Sequence, residues 1–303
     1  LKAMILLLDD TDQEVVNMVS ERILAYGSEI VPVLETFWDH NINNHQQSQI
    51  ENLIHKIQFD QLKTELELWA SDDDPDLYKG VCLINKYQYP DFKESDINKL
   101  IERLRLDIWL EFNYNLTALE KVRIINHILF EIHKFTGNTD DYQNPDNSFI
   151  SKVLETKKGN PLSLSIIYII LAHRLNVPIF GVNLPQHFIA AYVDLDLPNP
   201  LDFNFNGKLY TPEADSRILF YINPFNRGLV FPRSNIEDFL KQLNLPFERS
   251  YFEPCNAKVM VKRLLRNLHY SYAKVERKDK CDEVQILIDI FNDYDGFSDN
   301  DEE

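Results

Sequence analysis

The stretch KKGNPLSLSIIY, residues 157–168, decides the fold because it joins a helix start to an almost wholly apolar helix. Asn160 suits the N-cap, where its side chain accepts a hydrogen bond from a first-turn amide, and Pro161 suits the next position, where no N–H is needed. From Leu162 to Leu175 the residues are apolar on almost every face, which predicts a helix buried all round. We therefore expect the central helix of a domain, entered through a polar cap that holds a proline and serines but no cysteine.

The composition restricts the classes of partner and compartment. The 303 residues carry a net charge of −17, which disfavours nucleic-acid binding through a basic surface. Cys82, Cys255 and Cys281 are far apart and show no C-x-x-C spacing, so we expect no disulfide framework, no metal site and no cofactor. The apolar run at residues 3–8 is too short for a signal peptide, and no stretch reaches the roughly 18 apolar residues of a membrane span. A self-repelling cytoplasmic protein is the resulting expectation.

The first 75 residues follow a helical period and predict four short helices, near residues 12–26, 28–38, 48–57 and 61–69. Short antiparallel helices of this kind resemble HEAT-type pairs, and two pairs are too few for a solenoid with its own core. We expect this segment to dock on the rest of the chain. The run SDDDPD at residues 71–76 marks its end; it could bind a cation, but a solvated linker is the favoured interpretation.

Helices continue beyond residue 76, and strands follow the central helix. This order predicts an α+β fold with a buried central helix packed on an antiparallel sheet. The C-terminal helical region resembles one tetratricopeptide-type repeat, and the acidic tail predicts disorder. The predicted helices are 77–87, 95–112, 119–135, 148–157 and a pair within 257–292; the predicted strands are 178–184, 186–193, 218–222 and a hairpin of 201–205 with 208–211 around Asn206-Gly207.

These patterns predict four segments. Residues 1–75 form a helical, HEAT-like N-terminal segment, and residues 76–250 form the α+β domain. Residues 251–292 form the C-terminal helix pair, and residues 293–303 form the disordered acidic tail.

Several short motifs occur in a fixed order around the central helix. The motifs are Gly137-Asn138-x-x-Asp141-Tyr142, Asn147-Ser148-Phe149, Val153-Leu154-x-x-Lys157-x-Gly159-Asn160-Pro161-Leu162-Ser163-Leu164-Ser165, His187-Phe188 and Asn223-Pro224-Phe225-Asn226-x-Gly228. Together they resemble the SirB-type branch of the transglutaminase-like superfamily, over about residues 77–239. The resemblance implies a papain-like arrangement, in which a nucleophile begins the central helix and a His and an Asp follow on the next strands.

The resemblance implies a degenerate catalytic triad in this chain. His187 matches the family histidine, whereas the cysteine position falls at or beside Pro161. Ser163 is the nearest hydroxyl, and Asn223 occupies the position of the orienting acid. An Asn can orient an imidazole but supplies no charge to stabilise an imidazolium.

Each of these residues also has a purely structural interpretation. Ser163 could satisfy first-turn backbone groups, which is the favoured interpretation because a serine is a weak nucleophile without an activating base. His187 could be a hydrogen-bonded core histidine, and Asn223 an ordinary turn residue. The residues predicted to line the remnant of the family cleft as a binding site are Asn160, Pro161, Tyr168, Phe188 and Asn226.

Three functions remain open from the sequence. The first is a non-catalytic transglutaminase-like protein that binds a protein or peptide through the old cleft and its helical flanks. The second is a hydrolase or acyltransferase that uses Ser163, or water, with His187 and Asn223. The third, implied only by the resemblance, is a regulator of gene expression that acts through protein partners; partner identity and oligomeric state stay unknown.

Overall fold

The computed structural model describes residues 2–39, 44–195, 203–205, 208–210 and 217–292. Helices dominate the described part, and an antiparallel sheet follows the longest buried helix. The helices are α1 (Lys2–Leu6), α2 (Gln13–Leu24), α3 (Val31–Asp39), α4 (Asn44–Ser71), α5 (Leu77–Gln88), α6 (Glu94–Glu111), α7 (Ala118–Asn126), α8 (Ile150–Thr156), α9 (Pro161–Arg174), α10 (Arg233–Gln242), α11 (Ala257–Lys274) and α12 (Lys278–Asp289). The strands are β1 (Thr136–Gly137), β2 (Lys158–Gly159), β3 (Ile179–Leu184), β4 (His187–Val193), β5 (Phe203–Phe205), β6 (Lys208–Tyr210), β7 (Ile218–Asn223) and β8 (Leu229–Phe231).

The predicted central helix is α9. Its first twelve residues are all buried, and Asn160 caps it with Pro161 at its first position. One side of α9 contacts β3 and β4, while α6, α8 and α11 pack on other sides. Because no side of this helix faces water, its apolar sequence is accommodated without an amphipathic stripe.

An antiparallel sheet with strand order β3-β4-β7-β8 supports α9. Side chains alternate between the two faces of a strand. Phe188, Ala190 and Tyr192 of β4 join the core around α9, whereas Ile189 and Ala191 join a smaller core beneath α10. The sheet therefore separates a central-helix face from an α10 face.

The N-terminal helices differ from the expected pattern. The prediction of two helices over residues 48–57 and 61–69 is wrong, because α4 runs without a break from Asn44 to Ser71. No Gly or Pro lies within it, so nothing in the backbone ends the helix near Phe59-Asp60. The first half of α4 packs in a separate N-terminal core, and its second half, from Leu62, joins the main core.

A π-helical turn interrupts the predicted helix over residues 119–135. The α-helix α7 ends at Asn126, and His127–Ile132 continue as π-helix. Such turns displace the side chains on either side of them and recur at functional positions. Here the turn follows directly after Asn126, which contacts the central helix.

Two further sequence expectations concern regions at the limits of the described residues. Strands β5 and β6 pair antiparallel as predicted, while Asn206-Gly207 between them lies outside the described residues, as does the tail at 293–303. Among the described helices, none combines the length and the apolar character needed to cross a membrane.

Candidate functional site

The start of α9 is where a papain-like enzyme would place its nucleophile, and here it is a closed capping box. The Ser163 amide donates to Asn160 Oδ1 at 2.8 Å, and the Asn160 amide donates to Ser163 Oγ at 3.0 Å. The Ser163 hydroxyl in turn donates to the Asn160 carbonyl oxygen at 3.3 Å. Both residues are buried, and the hydroxyl of Ser163 both accepts and donates a hydrogen bond within the helix cap.

A buried chain of amide and hydroxyl groups extends from this cap. Asn160 Nδ2 donates to Ser148 Oγ at 3.0 Å. Asn147 Nδ2 donates to the carbonyl oxygens of Asp141 and Tyr142, and Asn147 Oδ1 accepts from Asn138. These bonds tie the loop at residues 138–148 to the helix start.

Two glycines allow close packing beside the cap. Strands β1 and β2 pair in parallel, placing Gly137 next to Gly159. A Cβ on Gly137 would lie 2.4 Å from the Phe225 ring, and one on Gly159 would lie 2.7 Å from Ser163 Oγ. The Phe225 ring also meets Tyr142 edge-on, with centroids 6.2 Å apart. The motif residues thus form one tightly packed unit at the helix start.

His187 lies on the other side of the sheet. It follows the two-residue β3–β4 turn and pairs across the strands with Leu184, a member of the α10-face core. Its exposed ring packs against Phe239 of α10, with centroids 5.0 Å apart. Burial and the nearby Arg263 charge lower the pKa of His187. The imidazole therefore lies on the face turned away from α9.

Asn223 does not orient His187 as the third member of a triad would. Its Oδ1 accepts from the Asn226 amide at 3.1 Å and so caps the short helical turn 224–226. No hydrogen bond joins Asn223 to His187 or His187 to Ser163. The structure does not bring the three predicted catalytic side chains together.

The five predicted binding residues are mostly inside the protein. Asn160, Pro161, Tyr168 and Phe188 are buried, and Asn226 is exposed. A partner could touch Asn226 directly but would reach the other four only after a rearrangement.

Asn126 was not singled out from the sequence, although it links three elements. Tyr168 donates its hydroxyl proton to Asn126 Oδ1 at 2.9 Å, and Asn126 Nδ2 donates to the Gly228 carbonyl at 2.7 Å. Gly228 has φ +71°, and a Cβ there would lie 1.9 Å from Asn126 Oδ1. The one sequence signal for this bridge is the glycine of the Asn223–Gly228 motif, since only a glycine fits that position without strain.

All three thiols are in surroundings that oppose ionisation. Burial raises the pKa of Cys82 and of Cys255 to about 12. Burial, with Asp282 and Asp279 nearby, also raises the pKa of Cys281. A catalytic cysteine needs the opposite shift, toward thiolate at neutral pH.

A cleft in the described part of the chain lies away from α9. It has a volume of about 510 Å³ between the N-terminal helices and the α5–α6 connection, within the range of ligand sites. Trp38 and Ile54 form its apolar wall, and the Trp38 indole donates to Glu51 at 2.8 Å. The cleft is lined by Glu35, Trp38, Asp39, Glu51, Ile54, His55, Gln58 and Asp91.

Beside the cleft, Glu283 of α12 ties α4 to α5. Glu283 accepts from His55 at 2.5 Å and from the Tyr87 hydroxyl at 2.7 Å, and Lys280 lies 3.3 Å away. Burial raises the pKa of Glu283, but these hydrogen bonds and the Lys280 charge outweigh it and lower the pKa to about 2. The ionised Glu283 thus joins the N-terminal and C-terminal helices.

Comparison with known proteins agrees with the layout around α9. The family model for the transglutaminase-like superfamily matches residues 94–266, more than half of the chain. A UPF0162 protein from Xylella fastidiosa is 29% identical over 231 residues, which cover 71% of this chain and 73% of that protein. A UPF0162 protein from Vibrio cholerae is 25% identical over 158 residues, 52% of this chain and 51% of that protein. Human F-box only protein 21 is 40% identical over 68 residues, 22% of this chain but 11% of that protein. No solved structure gives a significant match.

Proposed function

The chain belongs to the transglutaminase-like superfamily, and we propose that within it this protein is non-catalytic and acts by binding another protein or a peptide. The observation that carries the proposal is the position of Ser163 and His187 relative to the sheet. Ser163 Oγ is engaged by Asn160, and His187 packs on Phe239 at the opposite face. A hydroxyl nucleophile needs a base within hydrogen-bonding reach, which this arrangement does not supply.

The finer family and flank assignments belong to the same proposal. We assign the chain to the SirB-type branch, with HEAT-like helices before the core and a tetratricopeptide-like pair after it. Helical repeats of these kinds present interaction surfaces, which supports a binding role, including a regulatory one; the cytoplasm is the compartment that we propose for it. Human F-box only protein 21 is similar to this chain over 68 residues, 11% of its own length, so a stretch similar to part of this chain occurs within a larger protein.

A hydrolase or acyltransferase is the second candidate. It is favoured by the His187 imidazole, which is exposed and whose pKa is lowered by partial burial and by the Arg263 charge, a shift toward the neutral form that can act as a base. Water or a substrate group would then replace Ser163 as the nucleophile. The α10 face, rather than the start of α9, would hold that site.

Labelling with a serine-reactive fluorophosphonate probe tests the form of the second candidate in which Ser163 itself is the nucleophile and His187 is its base. Wild type, Ser163→Ala and His187→Ala are compared at equal concentration. We expect equal and near-background labelling of all three. Labelling of wild type that is lost in both variants, while their circular dichroism is unchanged, would contradict the non-catalytic proposal.

For the binding role, we propose that the Trp38 cleft accepts a Lys or Arg side chain of a peptide. Glu35, Asp39 and Asp91 line the cleft without a hydrogen bond or ion pair to another described residue. A cation there would gain carboxylate partners and an adjacent indole ring, on which cations stack favourably. The cleft thus has both an apolar wall and uncompensated negative charge.

A titration with matched charge variants tests this site. An Arg-containing peptide and its Arg→citrulline analogue are titrated into the protein, with Trp fluorescence as the readout. Glu35→Gln/Asp39→Asn should weaken binding at least about tenfold, a change of about 1.4 kcal/mol. Glu21→Gln/Glu29→Gln removes the same charge from elsewhere on the surface and should have little effect. Equal losses in the two double variants would mean non-specific attraction to an acidic protein.

A further inference from the structure

Helix α11 is basic although the protein as a whole is acidic. Its 18 residues contain five Lys or Arg and no Asp or Glu, while the whole chain has a net charge of −17. Lys258, Lys262 and Arg266 recur at intervals of four, so they lie within about 80° of one another around the helix and span about 12 Å along it. We call these three residues the α11 stripe.

The stripe lies on the flank of the helix next to the main core. Lys262 is buried, with 8% of its surface exposed, and Lys258 and Arg266 are half-buried. A lysine is rarely buried unless an acidic or other accepting group lies beside it. The stripe is therefore a place where carboxylates are favoured.

Most of the carboxylates on the elements that pack against α11 bond to residues outside it. These elements are α5, α9, α12, β3 and the turn 145–148, and only α12 and the turn contain Asp or Glu. Four of their carboxylates accept hydrogen bonds from residues outside α11, namely Asp146, Asp279, Glu283 and Asp289. Asp282 is exposed in the half of α12 nearer the α11–α12 loop. The next acidic residues along the chain come after α12.

Helix α12 returns along the side of α11 that carries the stripe. Residues 275–277 join the two helices, and Cys281 Sγ lies 3.7 Å from the His269 carbonyl oxygen. In helical projection, His269 falls between Lys258 and Lys262. The two helices are therefore antiparallel neighbours, with α12 over the same flank as the stripe.

The described chain consequently ends beside Lys258. Asn292 is about 16 Å beyond Cys281 along the helix direction, and the same distance back along α11 from His269 reaches Lys258. Phe291 is buried and meets Trp69 edge-on, with ring centroids 6.3 Å apart. This contact fixes the point from which the chain continues.

We propose that the acidic tail, residues 293–303, binds along the α11 stripe of its own chain. Its eleven residues reach about 36 Å at most when extended, whereas the stripe is about 12 Å long and begins where the tail begins. Opposite charge and position therefore select this segment as the occupant of the stripe. The tail has no basic residue, and its acidic residues are Asp293, Asp295, Asp299, Asp301, Glu302 and Glu303.

The contact is held by charge, so salt sets its strength. A single surface ion pair is weak and is screened by salt, and several pairs formed together hold the tail. The covalent connection through Asn292 gives the tail a high effective concentration at the stripe. While it is bound, the tail neutralises the stripe and keeps other acidic molecules from it.

A spin label on the tail measures the contact. A nitroxide is attached to Ser298→Cys in a full chain that also carries Cys281→Ser, because Cys82 and Cys255 have raised pKa values and react slowly. Broadening of the amide NMR signals of residues 257–266 reports how close the label comes to the stripe. We expect strong broadening at about 0.05 M salt and at least about threefold less at about 0.5 M, where screening is stronger.

Charge variants on both sides of the contact separate binding from simple tethering. Asp293→Asn/Asp295→Asn/Asp299→Asn leaves the folded helices untouched and should reduce the broadening at least about threefold, because fewer ion pairs then form. Lys258→Glu/Arg266→Glu should have the same effect, with unchanged circular dichroism.

A matched control and a mixing experiment decide the outcome. Lys274→Glu/Lys278→Glu makes the same charge change beside the α11–α12 loop and should leave the broadening as in wild type. Broadening that is equal in wild type and in the tail and stripe variants would overturn the proposal, because the label would then approach α11 only through the covalent connection. In a mixture of spin-labelled chain with isotope-labelled chain that lacks the nitroxide, we expect no broadening. Broadening there as strong as within one chain would also overturn the proposal, because the tail would then bind the stripe of a second copy.

Discussion

Ser163 and His187 lie on opposite sides of the central sheet. Ser163 begins the helix that packs on one face, within the Asn160 capping box, while the His187 ring rests on Phe239 at the other face. The strand between them carries Phe188 toward α9 and Ile189 toward α10. Because neighbouring side chains on a strand point to opposite faces, His187 could face α9 only if the register of β4 shifted by one residue.

The capping box should contribute to stability rather than to chemistry. Asn160→Ala removes the acceptor for the Ser163 amide and leaves the buried Ser148 hydroxyl without its partner. We expect a loss of about 2–3 kcal/mol in the free energy of unfolding, measured by urea denaturation. Asn256→Ala is the matched control, because Asn256 caps α11 at an exposed position and should cost about 1 kcal/mol. Equal losses in the two variants would mean that the hydrogen bond from Asn160 to Ser148 adds nothing to the free energy of unfolding beyond the helix cap.

The Tyr168 hydroxyl should be needed for the bridge through Asn126. Tyr168→Phe keeps the packing of the ring but leaves Asn126 Oδ1 without its donor. We expect a loss of about 1–3 kcal/mol in the free energy of unfolding, because the part-buried Asn126 oxygen is left without its donor. Tyr142→Phe, at an exposed ring, should change it by less than about 0.5 kcal/mol. A Tyr168→Phe protein as stable as wild type would contradict the bridge.

Gly228 should tolerate no side chain. Gly228→Ala forces an L-residue into φ +71° and places its Cβ 1.9 Å from Asn126 Oδ1, so we expect a loss of at least about 3 kcal/mol in thermal or urea unfolding. Gly27→Ala measures the effect of positive φ alone, because Gly27 has φ +63° and nothing lies within 4 Å of an added Cβ. This substitution should lower the free energy of unfolding by about 1 kcal/mol. In an Asn126→Ala background, the cost of Gly228→Ala should fall toward that of Gly27→Ala. If Gly228→Ala lowered the free energy of unfolding equally in both backgrounds, the clash with Asn126 would not be the source of the loss.

Local signals explain what the sequence could predict. The start of α9 was predictable because Asn160 and Pro161 act within one helical turn, and burial followed from apolar residues on every side of the helix. The single helix α4 was not predicted, because the period changes near Phe59 while no residue there ends a helix. The change in apolar pattern reflects the fact that the two halves of α4 pack in different cores. It does not reflect a break between two helices.

Long-range pairing explains what the sequence could not predict. The face on which His187 lies depends on the turn at Pro185-Gln186 and on pairing with Leu184, neither of which a motif encodes. The Asn126 bridge joins residues 42 and 102 positions apart in the chain. A motif match therefore located the site without giving the orientation of its side chains.

Acid should weaken the junction formed by Glu283. The pKa of Glu283 in the folded protein is about 2, below its ordinary value of 4.5, so its ionised form stabilises the fold above about pH 4.5. That contribution is lost as the pH falls from about 4.5 toward 2. The difference in the free energy of unfolding between wild type and Glu283→Gln should be large at pH 7 and shrink over this range. Glu67→Gln, on the exposed face of α4, should show little difference, and a Glu283→Gln difference that is constant with pH would contradict the ionised junction.

The cysteines should react slowly with alkylating reagents in the native protein. At pH 8 a pKa of about 12 leaves Cys82 and Cys255 about a thousandfold less thiolate than an ordinary thiol, and the thiolate is the reacting species. Iodoacetamide labelling followed by mass spectrometry should therefore modify Cys281 first, and Cys281→Ser should stay almost unlabelled until the protein is unfolded. Rapid native labelling of Cys82 or Cys255 would show a stabilised thiolate and would contradict the raised pKa of these two thiols.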